Sequence, residues 1–85
     1  MSEKNTILIV DDKDVNRKCL IKLLENDYEI LEACDGEDAI KILDKNKDEI
    51  SAVVLDIIMP KLDGYGVLRE MSYRKMLPKI PVIVT

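Results

Sequence analysis

Asp11 and Asp12 stand side by side after an apolar run, Ile7-Leu8-Ile9-Val10, and Asp56 ends a second such run, Ala52-Val53-Val54-Leu55. A third apolar run, Ile80 to Val84, ends in the hydroxyl of Thr85. If the chain brings these run ends together, the carboxylates repel one another. Like charges about 4 Å apart cost ~1 kcal/mol in water and ~4 kcal/mol at an effective dielectric of about 20. A hard divalent cation relieves that repulsion. Magnesium takes oxygen ligands, keeps several waters and is commonly held by one or two carboxylates together with phosphate oxygens. Asp11, Asp12 and Asp56 would suit it and leave a position for a phosphoryl donor. Asp56 would then be a nucleophile, with the cation offsetting charge on the transferring group.

Taken singly, each residue has a simpler reading. An aspartate after a strand is most often a turn residue or a helix cap, and Asp14, Asp35 and Asp63 are read that way. Thr85 alone is a β-branched residue in a strand. Lys13, Arg17, Lys61 and Arg74 are read as solvated surface charges. What departs from the simple reading is an adjacent acidic pair and a third aspartate, all at the ends of apolar runs.

The elements that must position them follow from periodicity. Ile7 to Val10 is an unbroken apolar run without polar alternation, the pattern of a strand covered on both faces. Asp14 opens a helix with Val15, Cys19, Leu20, Leu23 and Leu24 on one stripe. Tyr28 to Ala33 reads as a second strand, and Asp35 caps a helix running to about Lys45 with Ala39, Ile40 and Leu43 inward. Ala52 to Leu55 repeats the pattern of the first strand. After a loop containing Pro60 and Gly64, Asp63 caps a helix with Val67, Leu68 and Met71 on one face. Pro78 closes the connection to a fourth strand, Ile80 to Val84, with Pro81 at its start, where a lost N–H is tolerated. The order βαβαβαβ implies a parallel sheet with right-handed crossovers and helices on both faces. In such sheets ligands bind beyond the carboxyl ends of the strands, which is where Asp11, Asp12, Asp56 and Thr85 should lie.

Composition narrows the function. A chain of 85 residues with 47% hydrophobic and 35% charged residues is ordinary for one small globular domain. At this size folding buries only roughly 60 to 65% of the unfolded surface, so the core is thin. Net charge −4 and pI 4.8 argue against direct nucleic-acid binding, which needs a basic face. The chain has no histidine, and Cys19 and Cys34 form no CxxC pair, so zinc and redox motifs are unsupported. Both cysteines are expected to be reduced core residues. The apolar runs are too short for a signal peptide or a membrane helix, and the cytoplasm is the expected compartment.

Four stretches, taken together and in order, resemble the receiver domains of bacterial two-component response regulators. They are Ile7 to Asp12, Asp35-Gly36, Val54 to Pro60 with Asp63-Gly64, and Ile80 to Thr85. The resemblance implies a flavodoxin-like α/β sheet and Asp56 as phosphoacceptor. It further implies that Asp11 and Asp12 bind Mg2+ directly or through water, that the Ile58 backbone carbonyl is a metal ligand, and that Thr85 is a switch hydroxyl turning toward the phosphoryl group. A sensor histidine kinase would be the donor, and a downstream output domain or protein the reader.

The resemblance also implies an incomplete pattern, with residues 1–85 as the amino-terminal two-thirds of one receiver domain. A complete receiver continues with a helix, a fifth strand ending in a phosphoryl-contacting lysine, and a final helix beside the first. Lys79 precedes the fourth strand, at the wrong end of the sheet, and cannot serve as that lysine. In the family's strand order the fourth strand is then an open edge, from which self-association of the chain, as a homodimer or by exchange of elements, is expected unless further chain covers it. The chain is expected to be a signalling module and not an enzyme. An aspartyl-phosphate hydrolase or transferase of the haloacid dehalogenase type would carry a second acid two residues after the nucleophile, where this chain has Ile58. The other alternative is an interaction module that keeps the fold without being phosphorylated.

Overall fold

A computed structural model describes residues 5–56, 63–77 and 79–85. The chain runs β1 (Asn5–Val10), α1 (Asp14–Leu24), β2 (Tyr28–Ala33), α2 (Gly36–Asn46), β3 (Ile50–Leu55), α3 (Gly64–Tyr73) and β4 (Val82–Val84). The four strands form one parallel sheet in the order β2-β1-β3-β4. The first and third strands are therefore neighbours, as the convergence of the aspartates requires.

The sheet is buried from two sides because its central strands carry unbroken apolar runs, Ile7 to Val10 in β1 and Ala52 to Leu55 in β3. On one face Leu8, Val10, Val53 and Leu55 pack with Ala39 and Leu43 of α2 and with Val67 and Met71 of α3. On the other, Ile7, Ile9 and Val54 pack against Leu20, Ile21 and Leu24 of α1. Two helices start as their sequences demand. Asp35 accepts from the Asp38 amide at 2.8 Å and Asp63 from the Gly66 amide at 2.9 Å, each satisfying an N–H that the first turn leaves without an intrahelical partner.

The first helix departs from expectation. Asp14 is its first residue and not its cap, and the N-cap position falls on Lys13 without a side-chain bond. Val15 and Leu23 do not face the sheet and are 72% and 75% exposed, and α1 contributes no fully buried residue. The covered stripe is Leu20, Ile21 and Leu24, rotated from the one the spacing suggested. Cys19 and Cys34 are likewise exposed free thiols rather than core residues. Cys19 lies on this thinly covered helix, and Cys34 follows the last residue of β2.

β4 is also shorter than its apolar run. Ile80 lies outside the strand and is buried in the core, its amide bonded to the Met76 carbonyl at 2.9 Å. Ile83 and Val84 are 57% and 45% exposed on the edge strand. Among the described residues, no helix is long and apolar enough to cross a membrane.

Candidate carboxylate site

β1 and β3 pair with Val10 opposite Leu55, so the two strands end at the same level. The ladder continues one step further at both ends. The Asp56 amide donates to the Val10 carbonyl at 2.9 Å, and the Asp11 amide donates to the Ala33 carbonyl of β2 at 3.1 Å. Asp11 and Asp56 are thus fixed by main-chain bonds to the neighbouring strands, β2 and β1 respectively, before their side chains make any contact.

The side chains converge. One oxygen from each of Asp11, Asp12 and Asp56 lies within 4.8 Å of the others. Asp11 is only 5% exposed, and its Oδ1 accepts from the Lys13 amide at 2.8 Å. That bond folds the chain back just past the strand. Asp12 Oδ1 is shielded from solvent and has no hydrogen-bond partner among the described residues, the Lys13 ammonium lying 3.7 Å away. A buried carboxylate oxygen without a hydrogen bond is costly. A cation would supply what Asp12 lacks, and three oxygen donors at this separation match the hard-ligand chemistry of magnesium. The residues present fit that ion.

Thr85 extends the same edge. Its amide donates to the Leu55 carbonyl at 2.9 Å and its Oγ1 lies 3.5 Å from the same carbonyl. The residue is exposed and borders a surface depression with Asp11, Asn16, Cys19 and Leu20. The carbonyl of Ile58 and the side chain of Lys61 lie outside the described residues.

Arg17 was read as a solvated charge, and the structure corrects that. Its side chain is only 12% exposed, Nη1 donates to the Asp11 carbonyl at 2.7 Å, Nε donates to Glu32 Oε1 at 3.0 Å, and Nη2 pairs with Asp14. Burial works against its charge, but the bond to Glu32 and the charges of Asp14 and Glu32 outweigh it and raise the guanidinium pKa above its ordinary value. Hydrophobic periodicity says nothing of such a residue, because its partners sit on a loop and on another strand. The one signal in the sequence was its place in the first turn of α1, next to the acidic pair. Arg74, by contrast, is partly exposed and pairs with Asp44 at 2.7 Å and with Glu70. The bond to Asp44, then that to Glu70, raises its pKa.

Comparison with known proteins gives a consistent answer. The family model described as the response regulator receiver domain matches residues 7–85. The chain is 42% identical over 80 residues to the probable transcriptional regulator ycf27 of Porphyra purpurea, a match covering 93% of this chain and 32% of that one. It is 45% identical over 80 residues to a protein-glutamate methylesterase/protein-glutamine glutaminase of Symbiobacterium thermophilum, covering 89% of this chain and 21% of that one. Among solved structures, a response regulator receiver domain protein from Clostridium thermocellum superposes with a TM-score of 0.84 at 34% identity, covering 94% of this chain and 63% of that one. The chain thus spans about a third or less of the length of these two curated relatives.

Proposed function

The chain belongs to the response regulator receiver domain family, and from that membership we propose that residues 1–85 are the amino-terminal part of a receiver that accepts a phosphoryl group on Asp56 in a magnesium-dependent reaction. Receiver domains are signalling modules that bind Mg2+ in an acidic pocket and interact with histidine kinases and output domains. The observation that carries the reading to these residues is the convergence of the Asp11, Asp12 and Asp56 carboxylates within 4.8 Å at the ends of two paired strands.

In this reading Asp11, Asp12 and Asp56 would hold the cation, with the Ile58 carbonyl as the further oxygen ligand that the resemblance to receiver domains implies. The cation supplies charge compensation for the phosphoryl oxygens. Asp56 provides the attacking carboxylate oxygen. A new oxygen–phosphorus bond forms as the bond from phosphorus to the histidine nitrogen of a sensor kinase breaks, and the freed imidazole leaves with the kinase. Thr85 is anchored to the Leu55 carbonyl through its amide at 2.9 Å, and its hydroxyl, which donates to the same carbonyl over a long 3.5 Å, would leave that bond to turn toward the new phosphoryl group. An output domain or protein reads that rearrangement. The reaction is a single transfer that changes the state of the module, which separates it from a turnover enzyme. Ile58, at the position where a haloacid-dehalogenase-type enzyme would need its second acid, favours the signalling reading.

The test is intact-mass spectrometry after incubation with a small acyl phosphate. The expected result is uptake of one phosphoryl group in the presence of magnesium, at a slow rate because the fifth-strand lysine that contacts the phosphoryl oxygens in the family has no counterpart within residues 1–85. Uptake should vanish in Asp56→Asn. Equal uptake by Asp56→Asn, or uptake that ignores magnesium, would contradict the proposal.

A further inference from the structure

We propose that Arg17 is a positioning residue of the carboxylate site, clamping the Asp11 carbonyl so that the Asp11–Lys13 turn presents both carboxylates to the cation. This inference rests on the magnesium reading above and assigns a role to a residue that touches neither metal nor phosphoryl group.

The turn needs an external anchor. Asp12 Oδ1 has no hydrogen-bond partner among the described residues, so the direction of its side chain is set by the backbone that carries it. That backbone is held on one side by the Asp11 amide on the Ala33 carbonyl and on the other by the Lys13 amide on Asp11 Oδ1. The second of these bonds uses the very carboxylate that must serve the cation, so it cannot be the sole restraint. Arg17 supplies an independent one. Its Nη1 reaches the Asp11 carbonyl from within α1, while Nε and Nη2 are fixed by Glu32 on β2 and Asp14 on α1. The guanidinium is therefore locked to a strand and a helix before it grips the loop.

Geometry rather than charge is what this arrangement offers. The positive charge is already paired with Glu32 and Asp14, neither of which belongs to the trio. A planar fork with fixed donors can meet acceptors on three separate segments, whereas a lysine ammonium at the end of a flexible stem cannot hold the same three at once. Groups that orient metal ligands without touching the ion typically change metal affinity by roughly 10 to 100-fold when removed.

The experiment compares magnesium binding by calorimetry with amide hydrogen exchange at Lys13, in the wild type, Arg17→Met, Arg17→Lys and Arg74→Met. Arg74 is a second paired arginine, bound to Asp44 and Glu70 and outside the carboxylate site. Arg17→Met should bind magnesium roughly tenfold or more weakly and exchange its Lys13 amide faster. Arg17→Lys should show the same two changes despite its retained charge. Arg74→Met should lower the melting temperature while leaving both readouts as in the wild type, which separates positioning from general stability. Should Arg17→Met fail to fold, Glu32→Gln tests the same clamp by weakening one anchor, with smaller changes expected in the same directions. Wild-type magnesium affinity together with wild-type Lys13 exchange in Arg17→Met, or in Glu32→Gln where it replaces it, would overturn the inference and leave the magnesium reading intact. If the wild type itself binds no magnesium, the proposed function fails instead, and Lys13 exchange alone decides: acceleration in Arg17→Met supports the clamp and no change overturns it.

Discussion

The backbone amide of Asp56 donates to the carbonyl of Val10 at 2.9 Å, which locks the last aspartate of the site in register with the residue that precedes the acidic pair. Strand pairing therefore sets the distance between the carboxylates, and their mutual repulsion is held in place by a buried sheet. A cation that relieves this repulsion binds the folded chain and not the unfolded one.

Magnesium should accordingly stabilise the protein by mass action. At free magnesium about 100 times the dissociation constant the gain is about 2.7 kcal/mol, which for a domain of this size raises the melting temperature by several degrees. Asp12→Asn should abolish the rise, because Asp12 carries the buried oxygen without a hydrogen bond. Thermal unfolding of both proteins across a magnesium series checks this. An equal shift in wild type and variant would mean that magnesium binds elsewhere.

The core should respond according to which face each side chain covers. Leu8 is completely buried between β2 and β3, so Leu8→Ala should cost roughly 2 to 5 kcal/mol. Leu23→Ala should change stability by no more than about 0.5 kcal/mol, since that side chain is mostly exposed. Urea denaturation of the two variants distinguishes this picture from one in which Leu23 faces the sheet.

That contrast marks where the sequence was readable. Strands β1 and β3 were legible because runs such as Ile7 to Val10 leave no polar position for a solvated face. The caps at Asp35 and Asp63 were legible because an aspartate before a periodic segment has one strong use. The convergence of Asp11, Asp12 and Asp56 followed from the ends of those strands and a general rule about parallel sheets. The stripe on α1 was not legible, because periodicity finds apolar residues on a helix without telling which of them a neighbouring layer covers. Val15 and Leu23 fitted the period yet face away from the sheet, while Ile21 went unnamed yet packs on it. Cys19 was misjudged for the same reason. Arg17 escaped because its role is defined by a carbonyl and a carboxylate from other elements, contacts that a linear pattern does not encode.

The edge of the sheet should be adhesive. Ile83 and Val84 are exposed on β4, and Val15 and Leu23 are exposed on α1. Unpaired apolar edge strands associate, so the 85-residue chain is expected to sediment as a dimer or larger species at high concentration. Ile83→Lys should shift it toward monomer by placing a charge on the edge. A wild-type chain that remains monomeric at high concentration would show that this edge is not a docking surface for a second copy.

The central claim is that three carboxylates act as one magnesium-dependent phosphoacceptor site, and the most direct measurement maps the phosphoryl group by peptide mass spectrometry after acyl phosphate treatment, in the wild type and in Asp12→Asn. The account predicts modification of the peptide containing Asp56 in the wild type only when magnesium is present. In Asp12→Asn it predicts loss of that modification, although the nucleophile itself is intact. Labelling of Asp56 in Asp12→Asn at the wild-type rate, or labelling that ignores magnesium, would contradict it.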